Sequence, residues 1–395
     1  MHESDQRAAV VIVGGAVTGS AVACFLAMHP RFAGSVLVLE ADPSYANCAT
    51  TRSVASIRHQ FSTPVNIEMS LFGTQFLRQA PELLAVGGDG PELAFREGGY
   101  LFLAGAKGEA TLRRNQALQA TLGADVVLLD PVAMRERWPW LATGDLALGA
   151  FGARGEGWLD AHALMHGLRR RAIASGAVYR HARATGIVVR AGAAVGVRLD
   201  DGSTVAADWV VNAAGTGAAA LAATAGIALP VHARKRCVFH IRTPARLPGC
   251  PLLIDPSGVY LRPEGQGFLC GVAPAEHEDP DSDDFEVDHS LWEERIWPAL
   301  AARVPTLEAA RVASAWAGHY DLNVLDHNAI LGPHPALQRL LFANGFSGHG
   351  LQHAPAVGRG IAEFIVDGSW RSIDLSPLGW QRVLEQRPLR EINVV

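Results

Sequence analysis

The sequence predicts an α/β fold of two domains, in which a parallel-sheet domain is assembled from three separated segments and a mostly antiparallel sheet is inserted between them. A strand, a glycine turn, a helix and a second strand follow one another within residues 8–40. Strand–turn elements return near residues 209–215 and 340–350, and short strands with proline and glycine turns fill residues 229–273. The predicted boundaries are 1–85, 145–228 and 325–395 for the first domain, and 86–144 and 229–324 for the inserted one.

The first βαβ unit is the clearest part of this pattern. Residues 8–13 form an apolar, β-branched run typical of a buried parallel strand, and residues 18–29 form a helical stretch that Pro30 ends. Residues 35–39 are a second short apolar run, which leads into Glu40. Because such crossovers are right-handed, the two strands are expected to be neighbours in a parallel sheet.

Capping and turn residues predict several later elements. Asp130 and Asp160 each precede a helical pattern as an N-cap, and Asp201-Gly202 predicts a hairpin turn within residues 188–211. The other expected elements are a helix from Pro64 to Gln79, a solvated acidic surface loop from Glu276 to Asp288, and a last helix from Pro355 to Ile365.

Composition excludes several classes of protein. The 395 residues are 49% apolar and carry a net charge of −5, so no basic field predicts binding to nucleic acid. The five cysteines are scattered without a Cys-x-x-Cys pair, which is typical of reduced thiols and not of a zinc site. The sequence contains no signal peptide pattern and no apolar run near the roughly 20 residues that a transmembrane helix needs. We therefore expect a cytoplasmic protein without a transmembrane segment.

The first glycine turn has the context of a dinucleotide-binding site. Gly14 permits the tight turn, Gly19 permits close packing of helix on strand, and Ala16 stands where the pattern has its middle glycine. The pyrophosphate is then expected at the positive end of the helix. Glu40, at the end of the next strand, can accept hydrogen bonds from both ribose hydroxyls. These features predict a Rossmann-like domain, whereas the alternative is a purely structural glycine turn.

Three turns taken together resemble those of the D-amino-acid oxidase and sarcosine oxidase superfamily: the N-terminal turn, Ala213-Ala-Gly215, and Gly345-Phe-Ser-Gly-His-Gly350. In that superfamily the late turn wraps the pyrimidine edge of a flavin. The resemblance thus implies FAD, a Rossmann-like FAD-binding domain and an inserted substrate domain. It implies FAD contacts from Gly14, Gly15, Ala16, Thr18, Gly19, Glu40, Thr51, Arg52, Ser53, Ala184, Ala214, Gly215, Gly345, Ser347, Gly348, His349, Gly350 and Gln352.

A second resemblance covers nearly the whole chain. Residues 50–62, 157–160, 234–236, 314–318 and 373–377 resemble segments of the mitochondrial FAD-dependent oxidoreductase-domain proteins linked to respiratory complex I assembly. The resemblance implies a bacterial relative of that group and a possible protein partner.

The same resemblances imply that FAD is held noncovalently. Monomeric sarcosine oxidases attach the flavin through a cysteine two residues before a tyrosine, and here Gly318 stands two before Tyr320. Dimethylglycine-type dehydrogenases use a histidine, and the matching position here is about Ser53. Neither position offers an attachment atom.

Candidate substrate residues also follow from the resemblance. Arg58 matches the arginine that binds the substrate carboxylate in sarcosine oxidases, and an arginine suits bidentate binding of a carboxylate. Arg236 and Tyr260 resemble carboxylate-contacting positions of D-arginine dehydrogenases. Two positions depart from the pattern: Tyr320 stands where relatives keep an arginine, and Gln352 where sarcosine oxidases keep a lysine.

The sequence thus predicts an oxidoreductase acting on the C–N bond of an amino acid or N-methylated amino acid, with catalytic-site residues Arg58, Arg236, Tyr260 and Tyr320. The alternatives are a 2-hydroxy-acid dehydrogenase and an assembly factor in which FAD serves structure. The electron acceptor is a quinone, an electron-transfer protein or O₂. Since Leu269 or Cys270 occupies the position of the oxidases' lysine, dehydrogenase activity is favoured over oxidase activity.

Overall fold

A computed structural model describes residues 7–392, and its regular elements alternate along the chain as an α/β protein requires. The strands are β1 (Arg7–Val13), β2 (Val36–Glu40), β3 (Ser56–Ile57), β4 (Tyr100–Ala104), β5 (Val126–Leu129), β6 (Leu148–Gly152), β7 (Gly157–Trp158), β8 (Val178–His181), β9 (Ala184–Arg190), β10 (Ala193–Leu199), β11 (Thr204–Asn212), β12 (Val231–Arg242), β13 (Leu252–Ile254), β14 (Tyr260–Glu264), β15 (Gly267–Gly271), β16 (Arg311–Asn323), β17 (Ile330–His334) and β18 (Leu337–Asn344). The helices are α1 (Val17–Ala27), α2 (Pro64–Leu83), α3 (Glu109–Thr121), α4 (Pro131–Arg137), α5 (Ala161–Ala174), α6 (Ala218–Ala223), α7 (Trp297–Arg303), α8 (Gly350–Asp367) and α9 (Gln381–Leu384).

The first large sheet collects strands from three distant parts of the chain. Its central path runs β17-β18-β10-β11-β1-β2-β8, and β1 lies parallel to both β2 and β11. β18 pairs in parallel with β11, so a late segment of the sequence completes the sheet that contains β1. The sheet is mixed, because β9–β10, β10–β11 and β17–β18 pair antiparallel. The expected α/β fold, with one domain assembled from three separated segments, is confirmed.

The second large sheet is mostly antiparallel, in the order β16-β12-β15-β14-β13-β4-β6-β5. Only the pairing of β13 with β4 is parallel among those of its described strands. β6 belongs to this sheet although residues 145–228 were assigned to the first domain, because its backbone pairs with β4 and β5. The domain boundaries otherwise stay predictions.

Helices cover the first sheet and close its core. α1 packs against α8 so closely that a Cβ at Gly358 would lie 2.6 Å from the backbone of Ala21. Apolar side chains of β1, such as Val10 and Ile12, are fully buried beneath these helices. Each such burial stabilises the fold by roughly 1.5–3 kcal/mol. Within residues 7–392, no helix combines the length and apolar character needed to cross a membrane.

Local sequence signals are borne out at several element ends. Asp130 accepts hydrogen bonds from the backbone of Val132 and Ala133 at the start of α4, and Asp160 accepts one from Ala163 at the start of α5. The turn at residues 201–202 joins β10 to β11. α8 begins five residues before the predicted start at Pro355, so this proline lies inside the helix.

The start of α2 is capped by a side chain from the far end of the chain. The Glu391 carboxylate accepts hydrogen bonds from the backbone N–H groups of Ser62 (2.8 Å) and Thr63 (3.1 Å), and from both hydroxyls. It also accepts from the Asn66 amide at 3.1 Å. Thr63, the N-cap residue, makes no side-chain capping bond of its own.

We expect Glu391→Ala to lower the free energy of unfolding by about 2–3 kcal/mol, because several buried donors lose a charged acceptor at once. Urea unfolding followed by circular dichroism measures the change. Glu68→Ala, on the exposed face of the same helix, is the matched control and is expected to change stability by less than about 0.5 kcal/mol. Equal effects of the two substitutions would contradict the capping role.

Candidate active site

The glycine turn between β1 and α1 is fixed by two close backbone approaches. Gly14 has φ +99°, and a Cβ there would lie 2.3 Å from the carbonyl oxygen of Ala213. A Cβ at Gly19 would lie 1.8 Å from the carbonyl oxygen of Gly14. Because neither position has room for a side chain, the start of α1 lies against the carboxyl ends of β1 and β11. This is where a helix N-terminus binds a pyrophosphate in dinucleotide sites.

Glu40 joins the end of β2 to this turn. Its Oε2 accepts a hydrogen bond from Gly15 N (2.7 Å) and its Oε1 accepts one from Asp42 N (2.8 Å). A carboxylate has about four acceptor positions, so these two bonds orient the group and leave it capacity for ribose hydroxyls.

Three connected cavities run from this turn towards the second sheet. The nucleotide cavity, about 630 Å³, is lined by Gly14, Glu40, Ala184, Ala214 and Gly215 among others. It shares Ala49, Gly215 and His319 with a central cavity of about 130 Å³. The central cavity shares Tyr260, Tyr320 and Gly348 with a recess of about 30 Å³. An elongated, continuous site that begins at a glycine turn and a ribose-type carboxylate fits a dinucleotide such as FAD.

The late glycine turn is held by a buried carboxylate. Asp321 Oδ2 accepts hydrogen bonds from Gly345 N (2.8 Å) and Phe346 N (3.3 Å), and burial raises the Asp321 pKa to about 6. Ser347 adopts φ +53°, and its hydroxyl accepts from Asn323 N. A Cβ at Gly348 would lie 2.6 Å from the Tyr320 ring. The turn therefore packs directly on β16 and sets where α8 begins, at Gly350.

Arg58 lies in the recess, 2% exposed. Its guanidinium stacks on the Phe61 ring with Cζ 3.9 Å from the centroid, and its Nη2 lies 3.0 Å from His349 Nε2. Because a guanidinium has only donors, His349 Nε2 accepts this bond and the imidazole is neutral. Burial, and then the Arg58 charge, lower the pKa of His349 well below its usual value. Gln352 Oε1 accepts from Arg58 N at 2.8 Å.

Three tyrosines complete the recess: Tyr100, Tyr260 and Tyr320. Burial raises the pKa of each phenol, so all three hydroxyls are neutral and can donate hydrogen bonds. A cation surrounded by neutral hydroxyl donors is an environment suited to a small carboxylate.

A buried acid lies behind Arg58. Glu156 accepts hydrogen bonds from His59 N (2.8 Å) and from the Gln60 amide (2.7 Å), and Arg58 Nη1 donates to the Gln60 carbonyl. Burial raises the pKa of Glu156 to about 7. Gln60 therefore links Glu156 to Arg58 from behind the recess.

Arg236 does not present its guanidinium to the central cavity as an unpaired clamp. Its Nη1 and Nη2 bind Asp279 Oδ1 (2.8 Å) and Oδ2 (2.7 Å), and both side chains are largely buried. Asp279 belongs to the acidic segment, residues 276–288, which was expected to be a solvated loop. The segment is the exposed surface loop that was expected, and it also pairs with the basic strand β12: Asp281 with His232 and Asp284 with Lys235.

The position of the sarcosine oxidases' attachment cysteine has no room for a side chain. A Cβ at Gly318 would lie 2.9 Å from the Cβ of Arg52. Arg52 is itself fixed, since its guanidinium donates to the Ala317 carbonyl (2.8 Å) and to Asn47 Oδ1 (2.7 Å). The geometry agrees with the expectation of noncovalent FAD.

The remaining predicted FAD-contact residues either line one of the cavities or lie in the segments beside them. Thr18, Arg52, Ser53 and Gly350 line the central cavity. Ala16 is the N-cap of α1. Thr51 is placed differently from the expectation: its hydroxyl donates to the Tyr45 carbonyl at 2.6 Å, and the residue lines another cavity on the far side of its segment.

Sequence reasoning did not find Tyr100, Glu156, Asp279 or Asp321. Tyr100 begins an apolar strand and has no local signal that separates it from a core residue. For Asp279 a signal existed, because an acidic segment and the basic triplet at residues 234–236 are complementary in charge.

Comparisons with known proteins agree with this geometry. Residues 9–364 match the family described as FAD dependent oxidoreductase, DAO. The chain is 40% identical over 426 residues to the FAD-dependent oxidoreductase domain-containing protein 1 of Xenopus laevis, covering 99% of this chain and 85% of that protein. It is 28% identical to the glycine oxidase of Geobacillus kaustophilus, over 94% of this chain and 96% of the relative. Both resemblances inferred from the sequence are thereby confirmed.

Solved structures show the same fold. The L-proline dehydrogenase of P. horikoshii superposes with a TM-score of 0.84 at 24% identity, covering 97% of this chain and 99% of the other. The Geobacillus kaustophilus glycine oxidase superposes with a TM-score of 0.80 at 26% identity, covering 95% and 99%. The family match over residues 9–364 shows that the cofactor of this chain is FAD.

We expect Glu40→Arg to yield protein with less than about a tenth of the wild-type flavin, because two charge-assisted bonds to the ribose are lost and the turn loses its acceptor. Flavin absorbance per chain after gel filtration measures this. Glu40→Gln, which keeps one acceptor oxygen, is expected to lose less, and Glu82→Arg on exposed α2 surface is the charge-matched control. Full flavin content in Glu40→Arg would remove Glu40 from the ribose site.

Proposed function

The chain belongs to the DAO family of FAD-dependent oxidoreductases, and from that premise we propose that it oxidises the C–N bond of an amino acid or an N-methylated amino acid. The observation that carries the proposal is the buried Arg58, which lies beside a neutral His349 at the end of the cavity chain. A relative at 28% identity is named a glycine oxidase, which supports a small amino-acid substrate.

Arg58 binds the substrate carboxylate in this proposal. Its cation is held by stacking on Phe61 and by His349, so little side-chain entropy remains to be lost on binding. Tyr100, Tyr260 and Tyr320 line the same recess and are the proposed hydrogen-bond donors to the carboxylate oxygens. The substrate's amine then extends towards the central cavity.

Bound FAD supplies the hydride acceptor, flavin N5. The chain's own residues orient the substrate and exclude water, which is most of what this oxidation requires of a protein. The narrow recess, about 30 Å³, holds the carboxylate, and the substrate's amine points from it towards the flavin, whose predicted contacts Arg52 and Ser53 line the central cavity.

An amine substrate suits the site better than a 2-hydroxy acid. Oxidation of a hydroxyl needs a general base, and the lone pair of His349 Nε2 already accepts the Arg58 bond. Glu156, whose pKa is raised to about 7, is separated from the recess by Gln60. A neutral amine needs no such base.

The test is anaerobic reduction of the bound flavin by a panel of D- and L-amino acids, N-methylated amino acids and 2-hydroxy acids. The proposal expects bleaching of the flavin absorbance by at least one amine. Bleaching by hydroxy acids alone would favour the hydroxy-acid alternative. No bleaching by any member would favour an assembly role in which FAD serves structure.

With the best amine of that panel, we expect Arg58→Ala to lower kcat/KM by roughly 30- to 1,000-fold, since a buried charge-assisted contact is worth on the order of 2–4 kcal/mol. Arg58→Lys keeps the charge but loses the fork geometry, so an intermediate loss is expected. Steady-state kinetics and flavin content are measured together. An unchanged kcat/KM in Arg58→Ala would exclude Arg58 as the clamp.

The enzyme is proposed to be a dehydrogenase more than an oxidase. A fixed cation beside the flavin lowers the barrier to electron transfer to O₂. Leu269, or Cys270 if the alignment shifts by one residue, occupies the position of the oxidases' lysine, and both side chains are buried and uncharged. Gln352, at the second lysine position, is neutral.

We therefore expect slow reoxidation of the reduced flavin by O₂ and fast turnover with an artificial quinone. Stopped-flow mixing of anaerobically reduced protein with aerated buffer, or with the quinone, measures both rates. Leu269→Lys provides the gain-of-function comparison and is expected to speed the reaction with O₂. Reoxidation of the wild type at an oxidase's rate would refute the assignment.

A further inference from the structure

Residues 51–56, termed the partition here, divide a groove on one face of the second sheet into two cavities. The odd-numbered members Thr51, Ser53 and Ala55 line an outer cavity of about 630 Å³. The even-numbered members, residues 52, 54 and 56, line the central cavity, as does Ser53. The segment is not a regular strand, because residues 51–53 form a turn and Ala55 has φ +56°, and its residues line both cavities. The wall between the two cavities is therefore a single chain thick.

The strands of the second sheet, which lie beneath the partition, show that the two cavities lie side by side. On each of three strands, a residue that lines the central cavity and a residue that lines the outer cavity are two positions apart. These pairs are Tyr260 and Arg262 in β14, Val238 and His240 in β12, and Gly318 and Trp316 in β16. Residues two apart on a strand point to the same face and lie about 7 Å apart. The two cavities are thus adjacent compartments on one surface.

Residues of the outer cavity hold the partition in place. Arg262 Nε donates to the Val54 carbonyl at 2.8 Å, and Trp316 Nε1 donates to the Arg52 carbonyl at 2.9 Å. Both bonds cross from the sheet to the partition backbone. The wall is consequently fixed from the outer side.

The lining of the outer cavity is aromatic and carries charges of both signs. Trp158 and Trp316 supply rings, and Arg96, Arg262 and His162 supply nitrogen donors. The acids present are already engaged: Asp160 caps α5, and Glu264 pairs with Arg262. A cavity of this volume with aromatic walls and a few donors has the properties of a small-molecule site.

We propose that the outer cavity binds the oxidising substrate, a planar quinone bearing carbonyl or anionic oxygens. This inference rests on the proposed function. Each amine oxidation leaves a hydride, which consists of two electrons and one proton, on the flavin, and an oxidising substrate must then take it up. The quinone takes up those two electrons and that proton together with a second proton from solvent, and becomes the hydroquinone. The electrons cross one layer of chain, and the two substrates occupy separate compartments.

The probe is 1,4-naphthoquinone-2-sulfonate, a planar anionic quinone, titrated against the oxidised holoprotein. Binding is followed by quenching of tryptophan emission and by equilibrium dialysis. Arg96→Glu reverses an exposed charge that lines the outer cavity, and Arg154→Glu, on exposed surface elsewhere, makes the same change in net charge. We expect Arg96→Glu to raise the dissociation constant roughly 10-fold and Arg154→Glu to leave it unchanged.

A kinetic measurement separates this proposal from the amine-oxidation proposal. The rate of anaerobic flavin reduction by amine is expected to be equal in wild type and Arg96→Glu, while the KM for the quinone rises. Equal dissociation constants for Arg96→Glu and Arg154→Glu, or a matching fall in the amine reduction rate, would overturn the outer-cavity assignment. If no amine reduces the wild type, the proposed function fails, and the dialysis result still decides whether the cavity binds the quinone.

Discussion

The buried carboxylate of Asp321 connects the two sheets at the point where the cavities meet. It lies on β16 in the second sheet, and the N–H groups it binds follow β18 in the first. A buried charge without hydrogen-bond partners is costly, so this contact constrains both sides strongly. Three features depend on where that turn is held: the packing of Gly348 on Tyr320, the start of α8, and the position of His349 beside Arg58.

Much of the fold could be predicted because its signals are local. Gly19 is required by a contact with Gly14 within one βαβ unit, and Asp130 and Asp160 cap helices that begin at the next residue. The assignment of Leu148–Gly152 could not be predicted in the same way. Its placement depends on backbone pairing with two other strands, and short apolar runs do not specify their partners.

The candidate site was predictable where a family motif covers it and not elsewhere. Arg58 stands in a long matching segment, whereas Tyr100 reaches the recess only because β4 pairs with β13 and β6. Arg236 was identified as a candidate, but its bond to Asp279 spans 43 residues and depends on the course of the acidic segment over β12. Charge complementarity between distant segments is visible in a sequence, whereas the pairing geometry is not.

The Glu391 cap has a consequence for how the protein is made. Ser62 and Glu391 are 329 residues apart, so a ribosome must add that many residues after Ser62 before the start of α2 receives its acceptor. The first sheet has the same order, because β18 joins β11 and β1 late in synthesis. Contacts of such long sequence separation slow folding. The apolar strands of the early segments therefore stay exposed during translation. A chaperone is most useful to this chain in that period.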